Sequence, residues 1–312
     1  MWHFFDQADN SVLGDSPVGP EMEFQGQNIT GLIEKRTDEG SHFILLLSGG
    51  SPVGAYLLEA AGARPIPISE FISSALSEQK RVHAVKLPDA AGRMVWLALE
   101  SKPQGKISLA GNDAWQGKLA EWKASRWSGL VEIKADAYHG FAFIWQGETL
   151  ATEAVLHTPL GFATGLSVFG QMETANREII LYELGNASPA CQCFILRQGA
   201  VHWSHAVLSR YQELVGKNLL QVMNREINRS IQPWNWKLAL EEDTLVDAHF
   251  FPHLQSAAHA YRALFMGMGA QMSFMIGNNL AQRIFSEAFK MTFPDETAAL
   301  QAQRLIPAAF TD

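Results

Sequence analysis

The densest set of potential metal ligands lies near residue 250. It comprises two aspartates and three histidines: Asp243, Asp247, His249, His253 and His259. Histidines four residues apart on a helix can bind one metal ion. Pro252 interrupts this spacing, however, and the His-Glu-x-x-His pattern is absent. The group is therefore either a metal or haem site formed by His249, His253 and His259, or a set of histidines in a loop between helices.

Ser167 lies in a segment that resembles the nucleophile turn of hydrolases. Residues 165–170 read Gly-Leu-Ser-Val-Phe-Gly. That turn requires Gly-x-Ser-x-Gly, so that small residues flank the strained serine on both sides. Phe169 occupies the second small position, which favours an ordinary loop or helix over a hydrolase that uses Ser167.

The two cysteines, Cys191 and Cys193, are separated by a single residue. This spacing is poorly suited to a disulfide between them, and two thiols are too few for a disulfide framework. They could bind a soft metal, but a second pair of ligands is missing, so buried or half-exposed cysteines of a strand are favoured. A reducing compartment, the cytoplasm, is the simpler interpretation.

The composition is that of a globular protein, since 47% of the 312 residues are hydrophobic and 18% are charged. A net charge of -8 argues against a general nucleic-acid binder and against docking on anionic membranes. The chain contains no apolar run of about 18 residues, and its first residues lack the features of a signal peptide. We therefore expect neither nucleic acid nor membrane as a partner.

Part of the chain occurs twice, because residues 29–57 and 127–155 align without a gap. We call these segments the first and the second repeat. The aligned identities are Gly31/Gly129, Leu32/Leu130, Glu34/Glu132, Asp38/Asp136, Phe43/Phe141 and Gly49/Gly147. A duplicated β-hairpin is a packing unit, so the repeat predicts architecture rather than a reaction centre.

Two carboxylates recur in both repeats, Glu34 with Glu132 and Asp38 with Asp136. Repeated carboxylates could form a general acid–base pair. Equivalent positions in two hairpins instead favour a solvated strand edge or, for the aspartates, a turn. No catalytic residue is therefore predicted.

The first repeat predicts a hairpin of Phe43–Leu47 and Val53–Leu58, joined at Gly49 and Gly50. Ser69 is a plausible helix N-cap, because apolar residues follow it at helical spacing. Two further strands are expected after this helix, at Val82–Leu87 and Arg93–Leu99.

The second repeat follows a predicted helix at Trp115–Arg126, in which apolar residues recur at i, i+4 and i+7. Its hairpin turn is expected at residues 146–148, which read Gln-Gly-Glu. A partial third copy of the hairpin is suggested at Cys193–Leu208, which matches Phe141–Leu156 at several positions.

The remainder of the chain has a helical periodicity. Leu254–Lys290 is apolar at helical spacing, and its glycines, such as Gly277, predict two helices or a close helix contact. The segment is rich in methionine and phenylalanine, which suit a core, a ligand cavity or an oligomer interface. The interface candidates are Phe265, Met266, Met268, Met272 and Met275.

Both repeats resemble the small α+β module at the N-terminus of PatA-type bacterial response regulators. The resemblance rests on Ser-Gly-Leu-Val-Glu-Ile at 128–133, on Thr-Gly-Leu-Ile-Glu at 30–34 and on a following hairpin. Both hairpins lack the Asp-Gly-Arg of that family, and the first repeat has no preceding helix. The resemblance implies a non-catalytic module of bacterial signalling or cell organisation, without catalytic residues to carry over.

Together these patterns predict an α+β protein with tandem β-hairpin and helix modules, followed by a mostly helical C-terminal domain. The expected domains are residues 1–110, 111–208 and 209–312. The favoured function is a non-enzymatic cytoplasmic scaffold or signalling adaptor that self-associates or docks a protein partner, without a cofactor. The alternative is a sensor of a small molecule, metal or haem that uses the C-terminal helical domain.

Overall fold

The computed structural model describes residues 29–36, 40–59, 62–76, 82–135, 138–158, 161–165, 177–185 and 187–305. The chain divides into two compact units, Met1–Ala190 and Cys191–Asp312. The first unit carries the β-sheets of both repeats and the second is mostly helical, which confirms the α+β class. Both repeats lie in one unit, whereas the sequence suggested separate domains at 1–110 and 111–208. Among the described residues, no helix is long and apolar enough to cross a membrane.

The first repeat lies in a five-stranded antiparallel sheet of order β4-β3-β2-β1-β5. We call it the first sheet. Its strands are β1 Gly31–Arg36, β2 His42–Ser48, β3 Ser51–Glu59, β4 Gly62–Ile66 and β5 Val82–Lys86. Helix α1, Ile68–Leu76, connects β4 to β5 and confirms the predicted helix. It begins at Ile68, so Ser69 lies within its first turn and the prediction of Ser69 as N-cap is wrong.

The second repeat lies in a six-stranded antiparallel sheet of order β10-β9-β8-β7-β11-β6. We call it the second sheet. Its strands are β6 Lys102–Leu109, β7 Gly129–Ala135, β8 Tyr138–Trp145, β9 Glu148–Thr158, β10 Gly161–Thr164 and β11 Arg177–Glu183. Helix α3, Gly111–Ser125, precedes β7 as predicted. The strand order matches that of the first sheet, with β6 added at one edge.

Both predicted hairpin turns are confirmed. Gly49 and Gly50 have φ angles of +56° and +79°, and Gln146 and Gly147 have φ angles of +51° and +83°. Two consecutive residues with positive φ define the type I′ turn, whose twist matches that of the flanking strands. The Gly–Gly and Gln–Gly pairs therefore fix the register of their hairpins.

The second repeat is one residue shorter than the first between its first two strands. Gly31 pairs with Leu47 and Gly129 pairs with Ile144. The glycines are 98 positions apart (129 − 31), whereas their partners are 97 apart (144 − 47). The alignment without a gap is therefore correct for β1 and β7 and one residue out for β2 and β8. Phe141 corresponds to Ile44 rather than to Phe43, and Gly147 corresponds to Gly50 rather than to Gly49.

Helix α2, Asp89–Leu99, lies between the two sheets. It packs against β2 and β4 of the first sheet and against β7, β8 and β9 of the second. Every residue from Ala91 to Leu99 is buried. The predicted strand at Arg93–Leu99 is therefore wrong, because a helix that is covered on all sides shows no polar face and so no helical periodicity.

Each sheet has an outer helix and an inner face. Phe71 of α1 packs with Ile33 and Ala55 of the first sheet. Trp115 and Trp122 of α3 pack with a corresponding apolar cluster on the second. Because side chains alternate along a strand, the intervening residues point to the other face of each sheet. We call this the inner face, since α2 contacts it.

The C-terminal unit contains five helices and a short hairpin among its described residues. Their bounds are α4 Pro189–Val215, α5 Lys217–Ile231, β12 Leu238–Glu241, β13 Thr244–Asp247, α6 Leu254–Ile276, α7 Asn278–Phe289 and α8 Pro294–Ala302. Trp203 of α4 lies at the centre of the core, with its ring centroid 4.3 Å from that of Phe265 and 5.6 Å from that of Phe285. Gly277 separates α6 from α7, as predicted.

The predicted third hairpin is wrong, because Cys193–Leu208 lies wholly within α4. Gly199, which resembled a turn glycine, sits at a close helix contact. A Cβ atom there would lie 3.1 Å from Cβ of Glu296 and 3.2 Å from Cδ1 of Leu300 in α8. The glycine therefore permits α4 and α8 to approach, and the helical unit begins at Cys191 rather than at residue 209.

Candidate functional site

A polar cluster on the inner face of the first sheet surrounds Glu34. This carboxylate is fully buried. Its Oε1 atom accepts a hydrogen bond of 2.8 Å from Nε of Arg36 and is in contact with Nε2 of His42. Glu34 and Arg36 share a face because they are two residues apart on β1, and His42 approaches from β2.

An equivalent cluster on the inner face of the second sheet surrounds Glu132. Its Oε1 atom lies 2.6 Å from Nε2 of His139 in β8 and 3.0 Å from Nζ of Lys134 in β7. Its Oε2 atom accepts a hydrogen bond of 2.5 Å from the Tyr182 hydroxyl of β11. His139 and Tyr182 thus link β7 to the strand on either side of it, whereas Lys134 lies on β7 itself.

The cluster around Glu132 shifts the pKa of its members. Burial alone would raise the pKa of Glu132, but the hydrogen bond and charge of His139, with Lys134 and Tyr182, lower the pKa to about 2. Burial, and then the charge of Glu132, raise the pKa of Tyr182 far above its usual range. Burial, and then the charge of His139, lower the pKa of His157. Glu132 is therefore an anion at neutral pH.

The two clusters have the same design. Each has a glutamate on the first strand, a basic residue two positions later and a histidine at the same position of the second strand. His42 pairs with Arg36, and His139 pairs with Lys134. The prediction of a solvated edge for Glu34 and Glu132 is wrong, since both are buried. Both carboxylates are covered by the protein, and contacts with His42, His139 and Tyr182 join them to the neighbouring strands.

Two further polar networks, one buried and one half-buried, connect α2 to the sheets. Arg93 of α2 pairs with Glu153 of β9, with Nη2 3.2 Å from Oε1 and Nε 3.3 Å from Oε2. At the end of α2, Oε1 of Glu100 accepts hydrogen bonds from Nε1 of Trp96 (2.9 Å) and from the Tyr56 hydroxyl (3.1 Å). These contacts hold the central helix to both repeats.

The predicted metal ligands do not assemble. Within the described ranges, no group of three or more His, Cys, Asp or Glu side chains could hold a metal ion. The His249 ring packs against that of Phe251, with 4.4 Å between centroids. The His259 ring stands edge-on to Trp234 and Trp236, at 5.2 and 5.6 Å. His249, His253 and His259 therefore do not form the predicted site.

The aspartates near these histidines have separate roles. Asp247 is buried, and its Oδ2 atom accepts a hydrogen bond of 2.6 Å from the Tyr261 hydroxyl and lies 3.4 Å from Nε of Arg197. It also accepts the backbone N–H of His249 at 2.9 Å. Asp247 thus fastens the end of β13 to α4 and α6.

The interface candidates divide between core and surface. Phe265, Met268 and Met272 are fully buried, so their assignment to an interface is wrong. Met266 and Met275 are 60% and 40% exposed, and the neighbouring Phe274 is 85% exposed. Composition alone could not separate the buried residues from the exposed ones, because both sets are methionine-rich. The helical period places residues on faces of α6, but it does not say which face is buried.

An open pocket of about 580 Å³ lies on α4 in the C-terminal unit. One wall is a face of α4, and the other comes from Met291 and Phe293, between α7 and α8. The residues of the helical wall are His202, His205, Ala206, Ser209, Arg210 and Glu213. Sequence reasoning missed this site, because the predicted hairpin at Cys193–Leu208 covers His202, His205 and Ala206 and so separates them from Ser209, Arg210 and Glu213 of the same helix face.

The remaining candidates are either buried or outside the described residues. Cys191 and Cys193 are reduced and buried in α4, where a helix replaces the expected strand. Ser167, Asp38 and Asp136 lie outside the described residues. Comparison with protein-family models, curated proteins and solved structures finds no significant match to this chain.

Proposed function

We propose that this protein is a non-enzymatic scaffold or signalling adaptor that self-associates through the exposed face of α6. The observation that carries the proposal is an apolar stripe formed by Met266, Ala270 and Phe274, all of which are exposed. These residues are four positions apart, so they follow one another along a single face of the helix. Large apolar side chains that share a face are typical of a contact surface.

The first unit supports an architectural role. Its repeats are built alike, and their shared glutamates and histidines are buried and join neighbouring strands. Duplication of such a module enlarges the structure without adding a reaction centre. In this proposal the first unit has a structural role, and the stripe on α6 makes the contact between two copies of the chain.

The mass of the purified full chain in light scattering, followed across micromolar concentrations, tests this proposal. We expect a mass above that of the 34.5 kDa monomer for the native chain and the monomer mass for a Met266→Lys/Phe274→Asp variant. Ile72→Lys is the matched control, because Ile72 is an exposed apolar residue of α1 in the first unit. A native chain that stays monomeric throughout refutes self-association.

The second candidate function is a sensor of a small molecule or metal, and the pocket on α4 favours it. The pocket combines two histidines and an arginine with an apolar wall, which is the mixture expected of a binding site. An absorbance spectrum and elemental analysis of the purified protein separate the two functions. A Soret band or a stoichiometric metal supports the sensor, whereas a colourless, metal-free oligomer supports the scaffold.

A further inference from the structure

We infer that the pocket on α4 binds a divalent transition-metal ion, such as Zn²⁺ or Ni²⁺, through Nε2 of His202 and Nε2 of His205. The inference rests on the sensor candidate and names its ligand class. It is independent of self-association through α6, because none of its residues belongs to the stripe of Met266, Ala270 and Phe274.

The two histidines share one face of α4 and one pocket. They are three positions apart, and residues at this spacing are neighbours on a helix surface. Both side chains line the pocket. Each imidazole is held by its Nδ1 atom, and among the described residues neither Nε2 atom has a hydrogen-bond partner.

The contact of His202 determines its tautomer. Its Nδ1 atom lies 2.8 Å from Oε1 of Glu296, a buried carboxylate. A carboxylate only accepts hydrogen bonds, so Nδ1 carries the proton. In the neutral ring, Nε2 then holds the lone pair that a metal requires.

His205 has the same tautomer for a similar reason. Its Nδ1 atom lies 2.9 Å from the backbone carbonyl oxygen of Asp243, which can only accept. Metal-binding histidines typically donate their other N–H to a carboxylate or a backbone carbonyl, which orients the ring and raises the basicity of the ligand. Both kinds of partner are present here.

The partners of these histidines are themselves fixed. Oε2 of Glu296 accepts the backbone N–H of Phe293 at 3.2 Å, at the first turn of α8. The Phe293 ring stands edge-on to the His202 ring, with 5.7 Å between centroids. The Asp243 side chain accepts a hydrogen bond of 2.9 Å from Ser209, one turn beyond His205. The two imidazoles are therefore oriented before a ligand arrives.

The charge around the pocket favours a cation. Arg210 is a lining cation, and its Nη1 atom is paired with Glu287, which also lies 3.5 Å from Nε of Arg283. Lys217 interacts with the charge of Asp243. Four carboxylates line the pocket or contact its lining residues, namely Asp243, Glu213, Glu287 and Glu296. With both histidines neutral, these four carboxylates outnumber the three cations, so the local charge favours a divalent cation over an anion.

The donor set indicates the kind of cation. Imidazole nitrogen suits Zn²⁺, Ni²⁺ and Cu²⁺, and it is a poor ligand for Ca²⁺ and Mg²⁺, which prefer oxygen. No third His, Cys, Asp or Glu ligand joins the pair among the described residues. Two imidazoles therefore leave the remaining positions to water or to a ligand atom of the sensed molecule.

Isothermal titration of the full chain with Zn²⁺ and with Ni²⁺ tests the inference. We expect one ion per chain with micromolar affinity, and a loss of at least about tenfold in each of His202→Ala and His205→Ala. His253→Ala is the matched control, because His253 is exposed and does not line the pocket. Unchanged thermal unfolding of the variants without metal confirms that they are folded.

Electron paramagnetic resonance of the Cu²⁺-loaded chain gives a second readout. We expect two equatorial imidazole nitrogens in the native chain and one in each pocket variant. Native-like affinity in both variants overturns the inference, as does a loss of equal size in the control. The mass in light scattering does not depend on these outcomes, so the site and the scaffold proposal fail separately.

Discussion

Nε2 of His139 lies 2.6 Å from Oε1 of Glu132, with both side chains buried between strands of one sheet. The first sheet places His42 against Glu34 in the same way. Burial of a carboxylate costs free energy unless the charge is paired, so the contact with histidine offsets the cost of burying each glutamate. This dependence can be measured.

Replacement of Glu132 by glutamine should lower the free energy of unfolding by about 3–5 kcal/mol, because it removes the buried negative charge that lies against His139 and Lys134. Urea denaturation measures the effect. Glu178→Gln is the control, since the Glu178–Lys106 pair is exposed and is expected to contribute about 0–1 kcal/mol. Equal effects in the two variants would show that the cluster around Glu132 does not stabilise the fold.

The same cluster predicts a dependence of stability on acid. The pKa of Glu132 falls from 4.5 to about 2 on folding, so the unfolded chain binds the proton more readily. The stabilisation is complete above pH 4.5 and is lost as the pH falls towards 2, with a total of up to about 3 kcal/mol. The free energy of unfolding, measured through this window, should fall more steeply in the native chain than in Glu132→Gln. Parallel curves would contradict the assignment.

The predictions from sequence are correct for the hairpin turns and for the helices that have one buried face and one polar face. The type I′ turns and helices α1 and α3 were confirmed, because turn glycines and half-buried helices leave a periodic pattern. Helix α2 and the first half of α4 were mistaken for strands, because contact on several sides hides that pattern. The glycine at 199 was ambiguous, since a turn and a close helix contact both require the absence of Cβ.

The histidines of the two buried clusters were missed for a different reason. The alignment without a gap placed His42 opposite Gly140, and a single deletion between β7 and β8 brings it opposite His139. The glutamates were found because they precede the deletion. The pocket on α4 also needs Met291 and Phe293 from the connection between α7 and α8, so no local pattern could predict it.

The buried pair of Arg93 and Glu153 should behave as a unit. Arg93→Met removes the positive charge that lies against the buried carboxylate of Glu153, and we expect a loss of about 3–5 kcal/mol in the free energy of unfolding. The double variant Arg93→Met/Glu153→Leu should recover most of this loss, because it removes both desolvated charges. Denaturation of the two single variants and the double variant completes the cycle. Additive losses would contradict a direct interaction between the two side chains.

Gly147 should tolerate no side chain, because its conformation and its surroundings both exclude one. Its φ angle is +83°, and an added Cβ atom would lie 2.6 Å from Cα of Lys123 and 2.8 Å from the carbonyl oxygen of Trp122. Both neighbours are backbone atoms of α3, so relief of the clash would move the helix away from the sheet. We expect Gly147→Ala to lower the free energy of unfolding by at least about 2 kcal/mol.

Gly117→Ala, in the helix α3 against which the Gly147 turn packs, should have the opposite effect on stability. No heavy atom lies within 4 Å of a Cβ atom added at Gly117, and alanine is the better helix former by about 1 kcal/mol. Thermal and urea unfolding should therefore show a more stable protein for Gly117→Ala and a less stable one for Gly147→Ala. If the substitution at Gly147 were harmless, the hairpin turn would not be seated against α3, and the packing of that helix on the second repeat would have to be different.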